Sequence, residues 1–282
     1  MARLAGPRLE GKVAIITGAG GGLGRSYARL LASEGAAIVV NDMNADAAHK
    51  VVTEISAAGG RALACVMDVA SVACGEAILK TAVEAFGGVD ILVNNAGILR
   101  DRSFANLSEE SWDAVVQVHL KGTYCVTQPV FRWMKEAKRP GVIVNTSSSS
   151  GLGGSFGQTN YGAAKAGIWG FSNCLALEGQ KYGIRVWTLC PAAATPMTEG
   201  LMTPEMVAQW SPERVAPVVL YMVSRLSGNR TNQTLFASGS KVMELKMVAS
   251  SGVRNGLGFT AQDLADAAES VFMPEQALDF NS

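Results

Sequence analysis

The chain has 282 residues, 48% of them hydrophobic, and its 24 basic and 24 acidic side chains leave a formal net charge of +0. That apolar share supports a sizeable core in one α/β domain with a tail, and the charge balance argues against nucleic acid or an anionic membrane surface as a partner. No run of eighteen uncharged apolar residues occurs, so no membrane span is expected; five cysteines without ligand spacing and only two histidines argue against a metal site and for a reducing compartment.

In chain order, Lys12-Val-Ala-Ile-Ile-Thr17 is a short β-branched apolar run that reads as a buried strand over 12–17. Gly18-Ala-Gly-Gly-Gly22-Leu23-Gly24 follows at once, and a helix is predicted over 22–34. A glycine-rich turn between a parallel strand and a helix N-terminus lets backbone N–H groups approach a pyrophosphate, whose charge the helix dipole favours. Gly18, Gly22, Leu23 and Gly24 are therefore candidate dinucleotide contacts, although the spacing differs from the commoner fingerprint. A second strand over 36–41 leads to Asp42, eighteen residues after Gly24. An acidic residue there accepts hydrogen bonds from the ribose hydroxyls and repels a 2′-phosphate by about 4 kcal/mol per charge pair at contact, which predicts NAD as the cofactor. Arg25 is the nearest cation that could offset that repulsion.

Further strands are predicted over 62–67, 89–94, 141–147, 184–190 and 234–238, and helices over 44–58, 71–86, 108–138, 158–180 and 212–225. This alternation predicts a doubly wound, Rossmann-type parallel sheet of about seven strands with helices on both faces, followed by a C-terminal helical tail. Ligands of such sheets bind beyond the carboxyl ends of the strands. Glycines 18–24, Asp42, Asp68, Asn94, Ser148 and Pro191 all follow predicted strands, so they converge on one edge.

The chemistry lies on the fifth strand and the helix after it. Tyr161 and Lys165 are four residues apart, hence on one helix face, and Ser148 lies thirteen residues upstream of the tyrosine. A nearby cation stabilises phenolate, and a serine hydroxyl can hold a substrate oxygen against it.

Thr17-Gly-x-x-x-Gly-x-Gly24, Asn94-Asn-Ala-Gly97, Ser148 and Tyr161-x-x-x-Lys165 together resemble the short-chain dehydrogenase/reductase family in its classical branch, over residues 10–195. Asn94–Phe104, Val118-His-Leu-Lys-Gly122 and Phe156–Tyr161 look like the (3R)-hydroxyacyl-CoA dehydrogenase regions of peroxisomal multifunctional β-oxidation enzymes, a likeness running from about residue 8 to about 245. The resemblance implies Ser148, Tyr161 and Lys165 as catalytic residues, with the lysine lowering the tyrosine pKa and also binding the cofactor ribose, which Tyr161 lines. It places Asp68 and the Val69 N–H at the adenine, Asn95, Ala96 and Gly97 at the ribose, and Pro191, Ala194 and Thr195 at the carboxamide of the nicotinamide. Asn94 can equally brace neighbouring strands, and Asp68 can equally start its loop. Two departures from the family pattern stand out: Ala192 where glycine is usual, and His119 where asparagine supports a proton path to the lysine. His119 is a candidate catalytic residue or a packed one. Residues 197–211, with Met197, Met202, Met206 and Trp210, resemble a substrate lid, although core packing explains those methionines equally well.

By that resemblance the chain transfers a hydride from a secondary alcohol to NAD, most specifically from a (3R)-3-hydroxyacyl-CoA. The rival readings are a 3-oxoacyl-thioester reductase or steroid dehydrogenase on the same scaffold, and, remotely, a non-catalytic dinucleotide-binding sensor. Residues 1–240 are expected to form the cofactor-binding and catalytic domain. Residues 241–282, with a helix over 260–272, are expected to pack on it and on a partner subunit of a homodimer or homotetramer. The ending Asp-Phe-Asn-Ser282 does not match a Ser-Lys-Leu signal, so a cytoplasmic protein is expected.

Overall fold

The computed structural model describes residues 8–194 and 210–273, in two compact units, Met1–Glu244 and Leu245–Ser282. In the first unit, strands β1 (Val13–Thr17), β2 (Ala37–Asp42), β3 (Arg61–Val66), β4 (Ile91–Asn94), β5 (Val142–Thr146), β6 (Arg185–Pro191), β7 (Gln233–Ala237) and β8 (Val242–Leu245) form one sheet. Its order is β3-β2-β1-β4-β5-β6-β7-β8, with β1 to β7 pairing in parallel. The strand order reverses between β1 and β4, and the crevice outside the carboxyl ends of those strands is where such sheets bind ligands. An eighth strand joins the roughly seven expected. Only Ser238–Lys241 separates β7 from β8, and Ser238 N–H bonds the Lys241 carbonyl at 2.9 Å. So short a link allows a hairpin but no parallel crossover, so β8 is an antiparallel edge.

Helices α1 (Gly22–Ser33), α2 (Ala45–Ala57) and α3 (Val72–Phe86) link the first four strands. After β4 come α4 (Glu109–Val116), a π-turn at Gln117–Lys121 and α5 (Gly122–Glu136). The short α6 (Ser150–Gly153) and the long α7 (Thr159–Gly179) follow β5, and α8 (Pro212–Val223) precedes β7. The sequence predicts one continuous helix over 108–138. Instead the π-turn inserts extra backbone at His119, a distortion common at functional sites.

Side chains of β1 alternate between two cores, Ala14 and Ile16 facing one and Val13 and Ile15 the other. Residues of α1, α2 and α8 close the first core, and residues of α3, α5 and α7 close the second. Each fully buried isoleucine or leucine contributes about 1.5–3 kcal/mol, so this two-sided burial fixes the register that aligns the strand ends. Asp90, just before β4, accepts the Val13 N–H at 2.9 Å and pairs with Arg139 at 2.6 Å, tying the opposite end of β1 to β4. Those partners hold its carboxyl below the usual range against the opposing effect of burial.

In the second unit the predicted helix over 260–272 is two short ones, α9 (Ala261–Asp266) and α10 (Ala268–Val271), interrupted at Ala267. Thr260 and Asp263 form a reciprocal capping box at the start of α9. No residue of either helix is buried.

Candidate active site

A cavity of about 340 Å³ opens at the carboxyl ends of β1, β4, β5 and β6. Gly18, Gly22, Leu23, Asp42, Asn95, Ala96, Gly97, His119, Tyr161, Lys165 and Pro191 all line it, from segments far apart in the chain. Gly24, Asp68, Val69, Ser148 and Ala194 are outside that lining, and Thr195 and the lid residues 197–209 lie outside the described residues.

The glycine turn is built by close approach. Gly18 has φ +62°, and a Cβ there would come within 2.8 Å of the Ala96 Cα. A Cβ on Gly24 would collide with the Gly18 carbonyl oxygen, so this glycine serves packing of the turn, not the cavity wall. Asn95 closes the same turn, donating to the carbonyls of Thr17 at 3.0 Å and Gly18 at 3.2 Å. Helix α1 is preceded by Gly21, which offers no side-chain cap, and has no acidic residue in its first turn. Its leading N–H groups therefore face the cavity end without an internal anion, a ready site for a phosphate. Asp42 accepts the Gly20 N–H and the Asn44 N–H, both at 2.9 Å, which leaves its carboxylate further lone pairs for ribose hydroxyls. Arg25 is held bidentate by Glu54, at 2.8 and 3.0 Å.

Asp68 accepts the Ala70 N–H at 3.0 Å and so turns its own loop, while Val69 is buried against Gly122 at a small neighbouring space. Asn94 donates to Thr127 at 2.7 Å and Asn145 at 2.8 Å, which makes it the strand brace.

Tyr161 stands between Ser148, which hydrogen-bonds its side chain, and His119, whose ring meets it edge-on at 5.1 Å. Lys165 is fully enclosed; its Nζ donates to the Thr146 carbonyl at 2.6 Å and lies 5.4 Å from the tyrosine ring centroid. This arrangement corrects the expected order of pKa effects. Burial pushes Tyr161 up to about 12, opposed by the Ser148 hydrogen bond, and burial brings Lys165 down to about 7. The Lys165 Nζ is engaged by a carbonyl, and burial dominates the balance at Tyr161. Thr146, Leu99 and Ala193 also line the cavity and were not singled out from the sequence. Thr146 was readable, because it lies at the end of the strand predicted over 141–147, next to the serines; its buried Oγ1 has no partner among the described residues.

A family model described as short chain dehydrogenase matches residues 12–205. The chain belongs to the short-chain dehydrogenase family. It is 47% identical over 224 residues to the mouse peroxisomal multifunctional enzyme type 2, covering 76% of this chain and 30% of that enzyme. It thus spans under a third of that longer relative. A hydroxyacyl-CoA dehydrogenase of Mycobacterium tuberculosis is 41% identical over 252 residues, with 83% of this chain and 79% of the relative covered. The crystal structure of a short chain dehydrogenase from Mycobacterium avium superposes with a TM-score of 0.86 at 39% identity, covering 95% of this chain and 98% of that one. This short-chain dehydrogenase is therefore an oxidoreductase of a family that binds NAD or NADP. Among the described residues no helix is long and apolar enough to cross a membrane.

His119 is 3% exposed, and its Nε2 lies 3.0 Å from the Ile98 N–H and 2.8 Å from the Ile98 carbonyl. A Cβ on Gly97 would collide with the imidazole, so Gly97 makes room for it. Burial, then the nearby Lys165 charge, brings the histidine down to about 3, so the ring is neutral at working pH. His119→Asn is accordingly expected to keep activity within about tenfold and to leave the pH–rate profile unchanged between pH 5 and 9, since no titrating group is lost. A profile that loses a limb in the variant would show that the imidazole itself exchanges the proton.

Proposed function

We propose that this dehydrogenase oxidises a (3R)-3-hydroxyacyl-CoA to the 3-oxoacyl-CoA with NAD. The observation that carries this reading is the placing of Tyr161, Lys165, Asp42 and the open start of α1 around one cavity. The same cavity fits a dinucleotide: the turn at Gly18–Gly24 and the first N–H groups of α1 would hold the pyrophosphate, Asp42 and Asn95 the riboses, and Pro191 with Ala193 the nicotinamide end. When bound, the dinucleotide supplies the hydride acceptor. Asp42 and the pairing of Arg25 with Glu54 favour NAD, because neither leaves a cation for a 2′-phosphate.

Ser148 orients the substrate oxygen, and Tyr161 takes the hydroxyl proton. Above about pH 7 the Lys165 amine has lost its own proton, so Tyr161 can release its phenolic proton toward that amine and, as the phenolate, then take the proton of the substrate hydroxyl. The substrate class comes from the relatives, one of them named a hydroxyacyl-CoA dehydrogenase and another a peroxisomal multifunctional enzyme. A 3-oxoacyl-thioester reductase is the second reading. It is favoured by a phenol that keeps its proton at neutral pH and so can donate it. A panel of 3-hydroxyacyl-CoAs, free hydroxy acids and hydroxysteroids, read as NADH formation, tests the assignment. Turnover of a steroid alone would transfer it to another substrate class, and no turnover of any member would favour a dinucleotide-binding sensor.

Asp42→Ala is expected to narrow the ratio of kcat/KM for NAD over NADP by at least tenfold, by removing both the ribose hydrogen bonds and the repulsion. A wild type that prefers NADP would contradict the role given to Asp42.

We further propose a homodimer or homotetramer in which residues 245–273 meet a neighbouring subunit, because neither short helix there buries a residue and Leu264 and Phe272 are exposed. Truncation after Lys246, which keeps β8, is expected to lower the mass measured by light scattering. An unchanged mass would separate the tail from assembly. With all five cysteines free, a reducing location such as the cytoplasm suits the chain.

A further inference from the structure

At the mouth of the cavity, the segment after β4 carries two arginines that the reaction does not use. Leu99 lines the cavity, and Arg100 and Arg102 follow it on the surface. Three hydrogen bonds pin this segment beside the tyrosine. The fully buried Asn160 donates to the Arg100 carbonyl at 3.1 Å, Arg102 N–H bonds the Gly157 carbonyl at 2.9 Å, and Gln158 donates to Asp101 at 2.7 Å. Asn160 also accepts the Tyr161 N–H at 2.8 Å, so the rim and the reacting phenol share one anchor. Asp101 is close enough to push the Tyr161 pKa upward.

Among the described residues neither arginine makes an ion pair. Each guanidinium donates one bond to a carbonyl of its own segment, Arg100 to Leu99 at 2.8 Å and Arg102 to Asp101 at 3.1 Å. A guanidinium has five N–H donors, so most stay available to a ligand. The one carboxylate of the segment, Asp101, is turned to Gln158. Phe104 and Phe156, 73% and 95% exposed, lie on the two segments that these bonds join. Unpaired guanidiniums beside exposed aromatic faces form a surface suited to phosphates and a flat heterocycle.

We propose that Arg100 and Arg102 bind the phosphate groups of the nucleotide handle of an acyl-CoA, with Phe104 and Phe156 offering faces to its adenine and pantetheine. The inference rests on the acyl-CoA reading above and deepens it by assigning the residues that hold the CoA handle. The guanidinium fork suits bidentate phosphate contacts, and an arginine rim at the entrance leaves the acyl end free to reach Tyr161.

The test compares a 3-hydroxyacyl-CoA with the matching pantetheine thioester, which lacks every phosphate, in the wild type and in an Arg100→Ala/Arg102→Ala variant. The ratio of kcat/KM for the CoA over the pantetheine thioester is expected to fall about tenfold in the variant, chiefly through KM, and to fall in the wild type as salt is raised. An unchanged ratio overturns the proposal while leaving the thioester reading intact. Calorimetric titration with free CoA provides a readout that needs no turnover. Tighter binding to the wild type than to the variant, without turnover of either thioester, upholds the rim and removes the reaction assigned above. Equal binding overturns the rim.

Discussion

Tyr161→Phe is expected to lower turnover about a thousandfold while leaving the affinity for NADH within a few-fold. The substitution removes one hydroxyl and keeps the ring that packs edge-on against His119 at 5.1 Å. The phenol is the group to which Ser148 hydrogen-bonds, while Lys165, another base lining the cavity, is held against the Thr146 carbonyl at 2.6 Å. His119 is held neutral at about 3, where it is too weak a base. Single-turnover rates and NADH fluorescence titration read the two quantities separately. Retained turnover above about one per cent would assign the proton to another group.

Lys165→Met is expected to abolish turnover to a similar degree and, at neutral pH, to make the fold more stable. The lysine sits at about 7 in the folded protein, against roughly 10.4 in an unfolded chain. Above about pH 10.5 neither state carries the proton, so burying this side chain costs nothing electrostatic. As pH falls toward 7 the unfolded chain takes the proton and the folded one resists, and below 7 the full penalty applies. Each tenfold difference in proton affinity between the two states is worth about 1.4 kcal/mol, and loss of the hydrogen bond to the Thr146 carbonyl offsets part of the gain. A net gain of about 3 kcal/mol at pH 7, shrinking as pH rises from 7 toward about 10.5 where the electrostatic penalty vanishes, is the expected result in denaturant titrations. The oxidation rate should also lose its rise near pH 7, which the lysine supplies. A destabilised variant at pH 7 would mean that the ammonium is better solvated than its burial implies.

The parts of the fold that were readable share one physical cause. Strands β1, β2, β4 and β5 are covered on both faces, so they appear as continuous apolar runs, and each is followed at once by polar or glycine residues that the sheet gathers at one edge. That is why Gly18, Asp42 and Asn95 could be placed together from the sequence. Strand β8 was missed because it is only Val242–Leu245, alternates exposed with half-buried positions and includes a charged residue. The π-turn at Gln117–Lys121 was invisible because the apolar spacing of α4 and α5 runs through it with little change. The tyrosine–lysine spacing gave proximity but not the balance between charge and burial, which depends on how completely α7 is enclosed. Asp68 and Asn94 show the same limit: one follows a strand and the other ends one, yet their side chains are engaged in turning a loop and bracing β5.

Whether this chain oxidises a (3R)-3-hydroxyacyl thioester with Tyr161 as the proton acceptor is decided by initial rates of NADH formation at saturating NAD. The (3R) and (3S) enantiomers of one 3-hydroxyacyl-CoA are compared in the wild type and in Tyr161→Phe. The expected result is turnover of the (3R) thioester, at least a hundredfold discrimination against the (3S) form, and loss of the (3R) rate in the variant. Equal rates for the two enantiomers, or (3R) turnover that survives the loss of the phenol, would contradict it.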